Sequence, residues 1–296
     1  MTIPPNIRTF TPENWPEWEK FERLYEGTYA KFSAHDRKAV LGVGSHYRKA
    51  LRLITLAAKL APNLVTDSEE LAQQGHTSAA NTKEFAAVIE AAYLELYSSV
   101  DCTRMVLVAT LPKVRGMPRA STRKLFKWVF DGLTGDDFPS AARAAIMNAD
   151  WYDVLRTLRD ELTHGTLGLC HRDDRNGKIS YIHFGVVRDG MPLNVIDLTA
   201  WLGELIGGVG RFMVEIFRLL NADLGTKPVE VECGFFHGHR FTRMLAMAET
   251  IDVNSGTCNS RIMFDREPKF RCPHADECGA YVRAEKGNSS PVLQST

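Results

Sequence analysis

The feature that most constrains this fold is helical spacing. From Pro12 to about Leu220, apolar residues recur at intervals of three and four positions. Prolines separate the runs, at Pro62, Pro112, Pro118 and Pro139. Such runs predict amphipathic helices that each bury one face. The longest runs from about Thr82 to Ala109 and is expected to lie centrally. We therefore expect a mainly α fold.

Charge and hydropathy narrow the class of protein. Lys plus Arg and Asp plus Glu both number 36, so attraction to nucleic acid would need a local patch. The most apolar long stretch, Trp201 to Leu220, carries four charged residues, which argues against a membrane span. The first residues do not show the pattern of a secretory signal. We expect a cytoplasmic protein with no membrane association.

Two interruptions divide the helical pattern. The alternation over Ile179–Val187, followed by Arg188-Asp189-Gly190, predicts a β-hairpin at about 178–196, inserted between helices. Breakers after Leu220 predict a domain boundary near 225. The predicted organisation is a helical domain over 1–225 and a small Cys/His-containing α+β lobe over 226–296, with a frayed polar tail.

The predicted lobe holds four of the six cysteines within the last 64 residues. Thiolates and imidazoles are zinc ligands, so this crowding suggests a closed structural zinc site. The candidate ligands are Cys258, Cys272, His274 and Cys278, with Cys233, His237 and His239 as substitutes. The two-residue spacing of zinc knuckles is missing. The alternative is a set of free thiols that pack as small apolar side chains.

The segment Arg159-Asp160-Glu161-Leu162-Thr163-His164 carries the strongest chemical signal. It closes an amphipathic helix predicted to start near Asp150, and Gly165 is expected to stop that helix in a left-handed conformation. Metal-free RNA cleavage needs an acid, a base and a fixed positive charge. Arg159 could hold a phosphate and His164 could exchange a proton. Five positions correspond to about 140° of rotation, so two copies across a two-fold axis would assemble a better site than one.

A basic segment lies upstream. Residues 102–130 include seven Lys or Arg and no Asp or Glu. The candidate RNA-binding residues are Lys113, Arg115, Arg119, Arg123, Lys124 and Lys127. Phe126, Trp128 and Phe130 interleave with them, so charge could hold a backbone while an exposed ring stacks on a base. The alternative is a solvated loop and an ordinary helix face with core aromatics.

Arg159, the polar Asp160 and His164 near a helix end resemble the motif of the HEPN superfamily (higher eukaryotes and prokaryotes nucleotide-binding domain). The likeness covers about residues 12–222. It implies a homodimeric helical bundle, often a metal-independent endoribonuclease that leaves 2′,3′-cyclic phosphate ends, in toxin–antitoxin or antiviral defence systems. An antitoxin or another protein partner is then expected, and catalysis needs no cofactor. Asp160 replaces the asparagine often found after the arginine.

Two other functions stay open from the sequence. The same dimer could be a non-catalytic RNA-binding or scaffold module, since some HEPN members are inactive. A metal-dependent enzyme with its site in the C-terminal lobe is the weaker alternative. Cleavage products with RNA would favour the ribonuclease, binding without products the module, and chelator-sensitive activity the metal enzyme.

Overall fold

The computed structural model describes residues 15–29, 31–173, 175–188, 190–225, 228–236, 238–245 and 254–287. Helices dominate these residues, as predicted. They are α1 (Glu17–Leu24), α2 (Ala34–Leu60), α3 (Leu64–Gln74), α4 (Ala80–Thr110), α5 (Thr122–Phe130), α6 (Ser140–Met147), α7 (Tyr152–His164), α8 (Leu198–Ala222), α9 (Arg261–Arg266) and α10 (Gly279–Gly287). Among the described helices, none has the length and apolar character needed to cross a membrane.

Two antiparallel three-stranded sheets accompany the helices. The first contains β1 (Leu169–Arg172), β2 (Ile179–Arg188) and β3 (Met191–Val195), in that order. Strands β2 and β3 pair at the position of the predicted hairpin, and Gly190 in their turn has φ +77°. Asp189 lies outside the described residues. The second sheet contains β4 (Val229–Phe236), β5 (His239–Leu245) and β6 (Thr257–Cys258), also in that order.

The chain divides into two compact units. The central unit comprises residues 32–219, and the terminal unit combines residues up to 31 with those from 220 onward. In the central unit, α4 contacts α2, α3, α5, α7 and β1, which agrees with its expected central position. Its apolar face is buried, including Ile89, Tyr93, Leu96 and Val100. Burial of this face is the main stabilising contribution of the helix.

The start of α4 is held by a buried carboxylate from α3. Asp67 accepts hydrogen bonds from the backbone N–H of Thr82, at 2.7 Å, and from the Thr82 hydroxyl, at 2.7 Å. It also accepts from Asn81 Nδ2 at 2.8 Å. These bonds satisfy N–H groups that a helix N-terminus otherwise leaves without partners. At the start of α8, the Asp197 side chain caps the helix by accepting a hydrogen bond from the Ala200 N–H at 3.0 Å.

The terminal unit is held by contacts between distant parts of the chain. Asn221 Nδ2 donates to the Glu17 carbonyl oxygen at 2.9 Å, and the Gly225 N–H donates to Thr28 Oγ1 at 2.7 Å. A small buried cluster lies in its C-terminal part. Its members are Phe241, Phe264, Ala275 and Tyr281. The terminal unit therefore includes helix α1. The apolar periodicity of the sequence did not reveal that α1 contacts the region after Leu220.

Candidate functional site

The motif helix α7 forms because one of its faces is apolar. Val154, Leu155 and Leu158 are buried, and the helix ends at His164. The expectation of a left-handed Gly165 is wrong, since its φ is −121° and its ψ −126°. The Gly165 N–H donates to the Glu161 carbonyl at 2.6 Å.

Arg159 and Asp160 are half-exposed neighbours on α7. Arg159 Nη1 lies 3.0 Å from Asp160 Oδ1, and the Arg159 side chain is 40% exposed. Its guanidinium carbon lies 5.3 Å from the ring centroid of Tyr97 on α4. The Tyr97 ring thus supports the guanidinium through a cation–π contact and leaves part of its donors toward solvent. Arg159 is therefore held in place and still accessible to an anion.

Arg159 and Asp160 line a cleft of about 300 Å³ between α4, α5 and α7. Four arginines and two aspartates contribute to its wall. The charged lining residues are Asp101, Arg104, Arg123, Arg156, Arg159 and Asp160. Four positive and two negative side chains make the wall net basic. A concave, arginine-rich surface is suited to phosphate oxygens, because guanidinium groups bind them with paired hydrogen bonds.

Two of the four arginines bond mainly to other groups of the protein. Buried Arg104 donates from Nη2 to Asp101 Oδ1 at 2.9 Å and from Nη1 to the Arg119 carbonyl at 2.7 Å. Arg156 lies 2.8 Å from Asp153 and 3.2 Å from Asp160, measured from guanidinium nitrogen to carboxylate oxygen. Exposed Arg123 and half-exposed Arg159 are therefore the better candidates for contacting a ligand.

His164 does not line this cleft. It is exposed at the C-terminal end of α7. The structure thus brings Arg159, Asp160 and Arg123 together, while His164 lies further along the same helix. Arg159 lines this cleft and His164 does not, in keeping with their separation around an ideal helix.

The loop after His164 is anchored by residues that sequence reasoning missed. Glu90 of α4 is buried, and its Oε1 accepts from the Gly168 N–H at 2.6 Å and from the Tyr181 hydroxyl at 3.1 Å. Buried His183 holds the Thr166 carbonyl through Nε2 at 3.0 Å. Burial raises the pKa of Glu90, although the bonds from Gly168 and Tyr181 oppose that shift.

A sequence signal for Glu90 was present. It stands between Ile89 and Ala92 on the apolar face of the longest helix, where a carboxylate needs hydrogen-bond donors. What the spacing could not reveal was the donor, since Gly168 is 78 residues away in the chain.

All six predicted RNA-binding residues are exposed. Five of them, Lys113, Arg115, Arg119, Lys124 and Lys127, do not line the cleft, whereas Arg123 does. Arg119 Nη2 donates to the Pro112 carbonyl at 2.6 Å, and Lys127 pairs with Asp131 at 2.8 Å. Of the three interleaved aromatics, Phe126 and Trp128 are core residues and Phe130 is exposed. Phe130 is thus the one of the three that could stack on a base.

The predicted zinc ligands lie in the terminal unit. Cys258, Cys272 and Cys278 pack against the buried cluster around Phe241, and so does Cys233. His274 is buried in the turn between Cys272 and Cys278. Within the described ranges, no three His, Cys, Asp or Glu side chains stand in an arrangement ready to hold a metal ion. His237 lies outside those ranges.

Comparison of the chain with models of known protein families, with curated proteins and with solved structures finds no match. The HEPN resemblance therefore stays a prediction that depends on the motif and its surroundings.

Proposed function

We propose that this protein is a HEPN-like, metal-independent endoribonuclease that acts as a homodimer. The observation that carries the proposal is the cleft in which accessible Arg159 lies beside Asp160 and three further arginines. His164 is exposed at the end of the same helix. Fixed guanidinium charge can stabilise the phosphate oxygens, and an accessible imidazole can transfer a proton, as metal-free RNA cleavage needs.

The proposed reaction is an internal transesterification. The ribose 2′-oxygen attacks the adjacent phosphorus, and the bond from phosphorus to the 5′-oxygen breaks. One His164 accepts the 2′-hydroxyl proton, and the His164 of a second copy donates a proton to the leaving 5′-oxygen. Arg159 stabilises the charge that develops on the non-bridging oxygens. The products carry a 2′,3′-cyclic phosphate and a 5′-hydroxyl, and no electron transfer is involved.

A second copy would supply the second His164 that this reaction uses, together with a second Arg159 beside the same phosphate. Large apolar side chains lie exposed just beyond His164, namely Leu167 (69% exposed), Leu169 (56%) and Phe184 (63%). Leu169 pairs with Ile182 across β1 and β2, and Phe184 lies two residues further along the same face of β2. A two-fold contact over this face would cover the apolar surface and bring two helix ends together.

The test is cleavage of a mixed RNA pool by the purified full-length protein in the presence of EDTA, with the fragment ends mapped. We expect cyclic-phosphate and 5′-hydroxyl ends, and loss of cleavage in His164→Ala with unchanged folding and oligomeric state. His76→Ala is the matched control, because His76 is also an exposed histidine of the central unit. Cleavage by His164→Ala at the wild-type rate would refute the catalytic assignment.

The contacts of Asp160 favour a second candidate, a non-catalytic RNA-binding module. Asp160 forms ion pairs with both Arg156 and Arg159. Its negative charge therefore partly neutralises the positive charge at the position where a phosphate would bind. Asp160→Asn should then strengthen RNA binding. Under this second candidate, wild type and His164→Ala would bind RNA equally, and neither would release fragments.

A further inference from the structure

The α4 side of the arginine-rich cleft carries hydrogen-bond donors that the fold itself does not use. Arg104 is only 8% exposed, yet it lines the cleft. A guanidinium has five N–H groups. Three of those of Arg104 donate to Thr122 Oγ1, to Asp101 and to the Arg119 carbonyl. Among the described residues, its other N–H groups have no acceptor. Because buried donors are normally satisfied, the oxygens of a bound anion suit this position.

The first turn of α5 contributes to the same cleft. Ala120, Ser121, Thr122 and Arg123 all line it. Ser121 Oγ accepts from the Lys124 N–H at 3.4 Å. In the described part of the chain, the N–H groups of Thr122 and Arg123 have no acceptor, as is usual for the first residues of a helix. This turn also has no acidic residue, so no side chain of the turn offsets its positive charge.

Arg123 adds a guanidinium that is available to a ligand. It is exposed and lines the cleft. With the residues that the structure describes, its side chain forms neither a hydrogen bond nor an ion pair. Its neighbour Lys124 is also exposed but does not line the cleft. Arg123 can therefore contact an anion in the cleft without breaking a bond that stabilises the fold.

Charge and size together indicate the kind of phosphate. The four arginines and two aspartates of the wall leave a net charge of two plus. A phosphodiester within a strand has one negative charge, whereas a phosphate monoester at a strand end has nearly two and offers three free oxygens. The cleft volume of about 300 Å³ is at the lower end of the range for ligand pockets, about 300–1,000 Å³. It suits one terminal nucleotide better than a continuous stretch of strand.

We propose that the α4 and α5 side of the cleft binds the terminal phosphate monoester of an RNA strand. Arg104 and Arg123 donate to the phosphate oxygens, which are held beside the start of α5. The identification of the ligand as RNA rests on the proposed function. Arg159, on α7, keeps its proposed role at the phosphate that is cleaved.

A site of this kind would discriminate against the new ends that the proposed reaction creates. One new end is a 5′-hydroxyl, and the other is a 2′,3′-cyclic phosphate, which is a diester with a single negative charge. Neither is a phosphate monoester. The protein should therefore select strands whose end was produced by another class of reaction, either hydrolysis that leaves a phosphate monoester or phosphoryl transfer to a hydroxyl end.

The experiment compares the affinities of three short 2′-O-methyl RNA strands of one sequence for the full-length wild-type protein. Such strands cannot be cleaved, because the attacking 2′-hydroxyl is blocked. One strand carries a 5′-phosphate, one a 3′-phosphate, and one has hydroxyls at both ends. We expect one of the phosphorylated strands to bind about tenfold more tightly than the hydroxyl strand, the effect of one added charge-assisted hydrogen bond. Equal affinity of all three strands would overturn the proposal.

A methyl ester on the preferred phosphate tests the requirement for a monoester. The ester keeps the phosphorus and removes one negative charge, so most of the tenfold advantage should disappear. An advantage that survives esterification would overturn the assignment to a phosphate monoester.

Two variants test the position of the site. Arg123→Ala should bind the phosphorylated and hydroxyl strands with nearly equal affinity. Lys124→Ala is the matched control, since it removes the same charge from the next residue, outside the cleft, and should keep the tenfold ratio. The ratio is measured within each variant, so a general loss of RNA affinity does not alter it. An unchanged ratio in Arg123→Ala would overturn the proposal.

Cleavage of unmodified RNA, measured separately, distinguishes this proposal from the proposed ribonuclease. Preference for a phosphorylated end without any cleavage would support the end site and refute the ribonuclease. Cleavage together with equal affinity for all three strands would support the ribonuclease and refute the end site.

Discussion

Replacing Glu90 with alanine should destabilise the central unit through two lost hydrogen bonds. Glu90 Oε1 accepts from both the Gly168 N–H and the Tyr181 hydroxyl, in a buried position. A buried donor left without an acceptor costs about 1–3 kcal/mol, so two donors give a loss of about 2–6 kcal/mol in the free energy of unfolding. Urea denaturation of the purified variant measures this loss directly.

Glu90→Gln distinguishes hydrogen bonding from charge. The glutamine Oε1 can accept both bonds without burying a charge, so this variant should stay within about 1 kcal/mol of wild type at neutral pH. Burial raises the folded-state pKa of Glu90. Its contribution to stability is therefore fully present below the unfolded-state pKa and is lost as the pH rises through the folded-state pKa. The free energy of unfolding of wild type, relative to that of Glu90→Gln, should therefore be highest at acidic pH.

Two outcomes would refute this reasoning. One is Glu90→Gln being as unstable as Glu90→Ala, which would mean that the carboxylate charge rather than its acceptor role holds the loop. The other is Glu90→Ala having the stability of Glu84→Gln, a control at an exposed glutamate of the same helix. Hydrogen exchange at residues 166–168 should rise in Glu90→Ala, because the loop loses its anchor.

Two further predictions follow from the cleft and from the start of α4. Arg159→Ala should reduce the slope of log affinity against log salt for single-stranded RNA by about 0.7, one phosphate contact, whereas Arg52→Ala at an exposed position should not. If the slope is unchanged in Arg159→Ala, Arg159 does not contact an RNA phosphate. Asp67→Ala should cost about 1–3 kcal/mol in urea denaturation, through lost bonds from Asn81 and Thr82. Burial opposes ionisation of Asp67, yet these bonds leave its pKa lowered, so its contribution to stability should vanish as the pH falls through the folded-state pKa. A cost that persists in acid would point to lost packing instead.

The spacing of residues along the chain was sufficient to predict a mainly α fold, because a helix that buries one face must repeat its apolar residues every three to four positions. The long helix α4 and the end of α7 at His164 both follow from such local patterns. Strand β1 could not be predicted from a local pattern, since its four residues become a strand only by pairing with β2. The motif residues Arg159, Asp160 and His164 were also visible as a pattern, but their relation in space was not.

Tertiary structure alone decided which side chains meet. Arg104 and Arg123 join Arg159 in one cleft because α4, α5 and α7 pack together, and no spacing within a single helix encodes that arrangement. The same holds for Glu90 and Gly168, which are 78 residues apart. The sequence by itself determined the local elements and the kinds of chemical group available, because both depend on near neighbours in the chain. The sites depend on contacts between distant residues, which only the packing of those elements can specify.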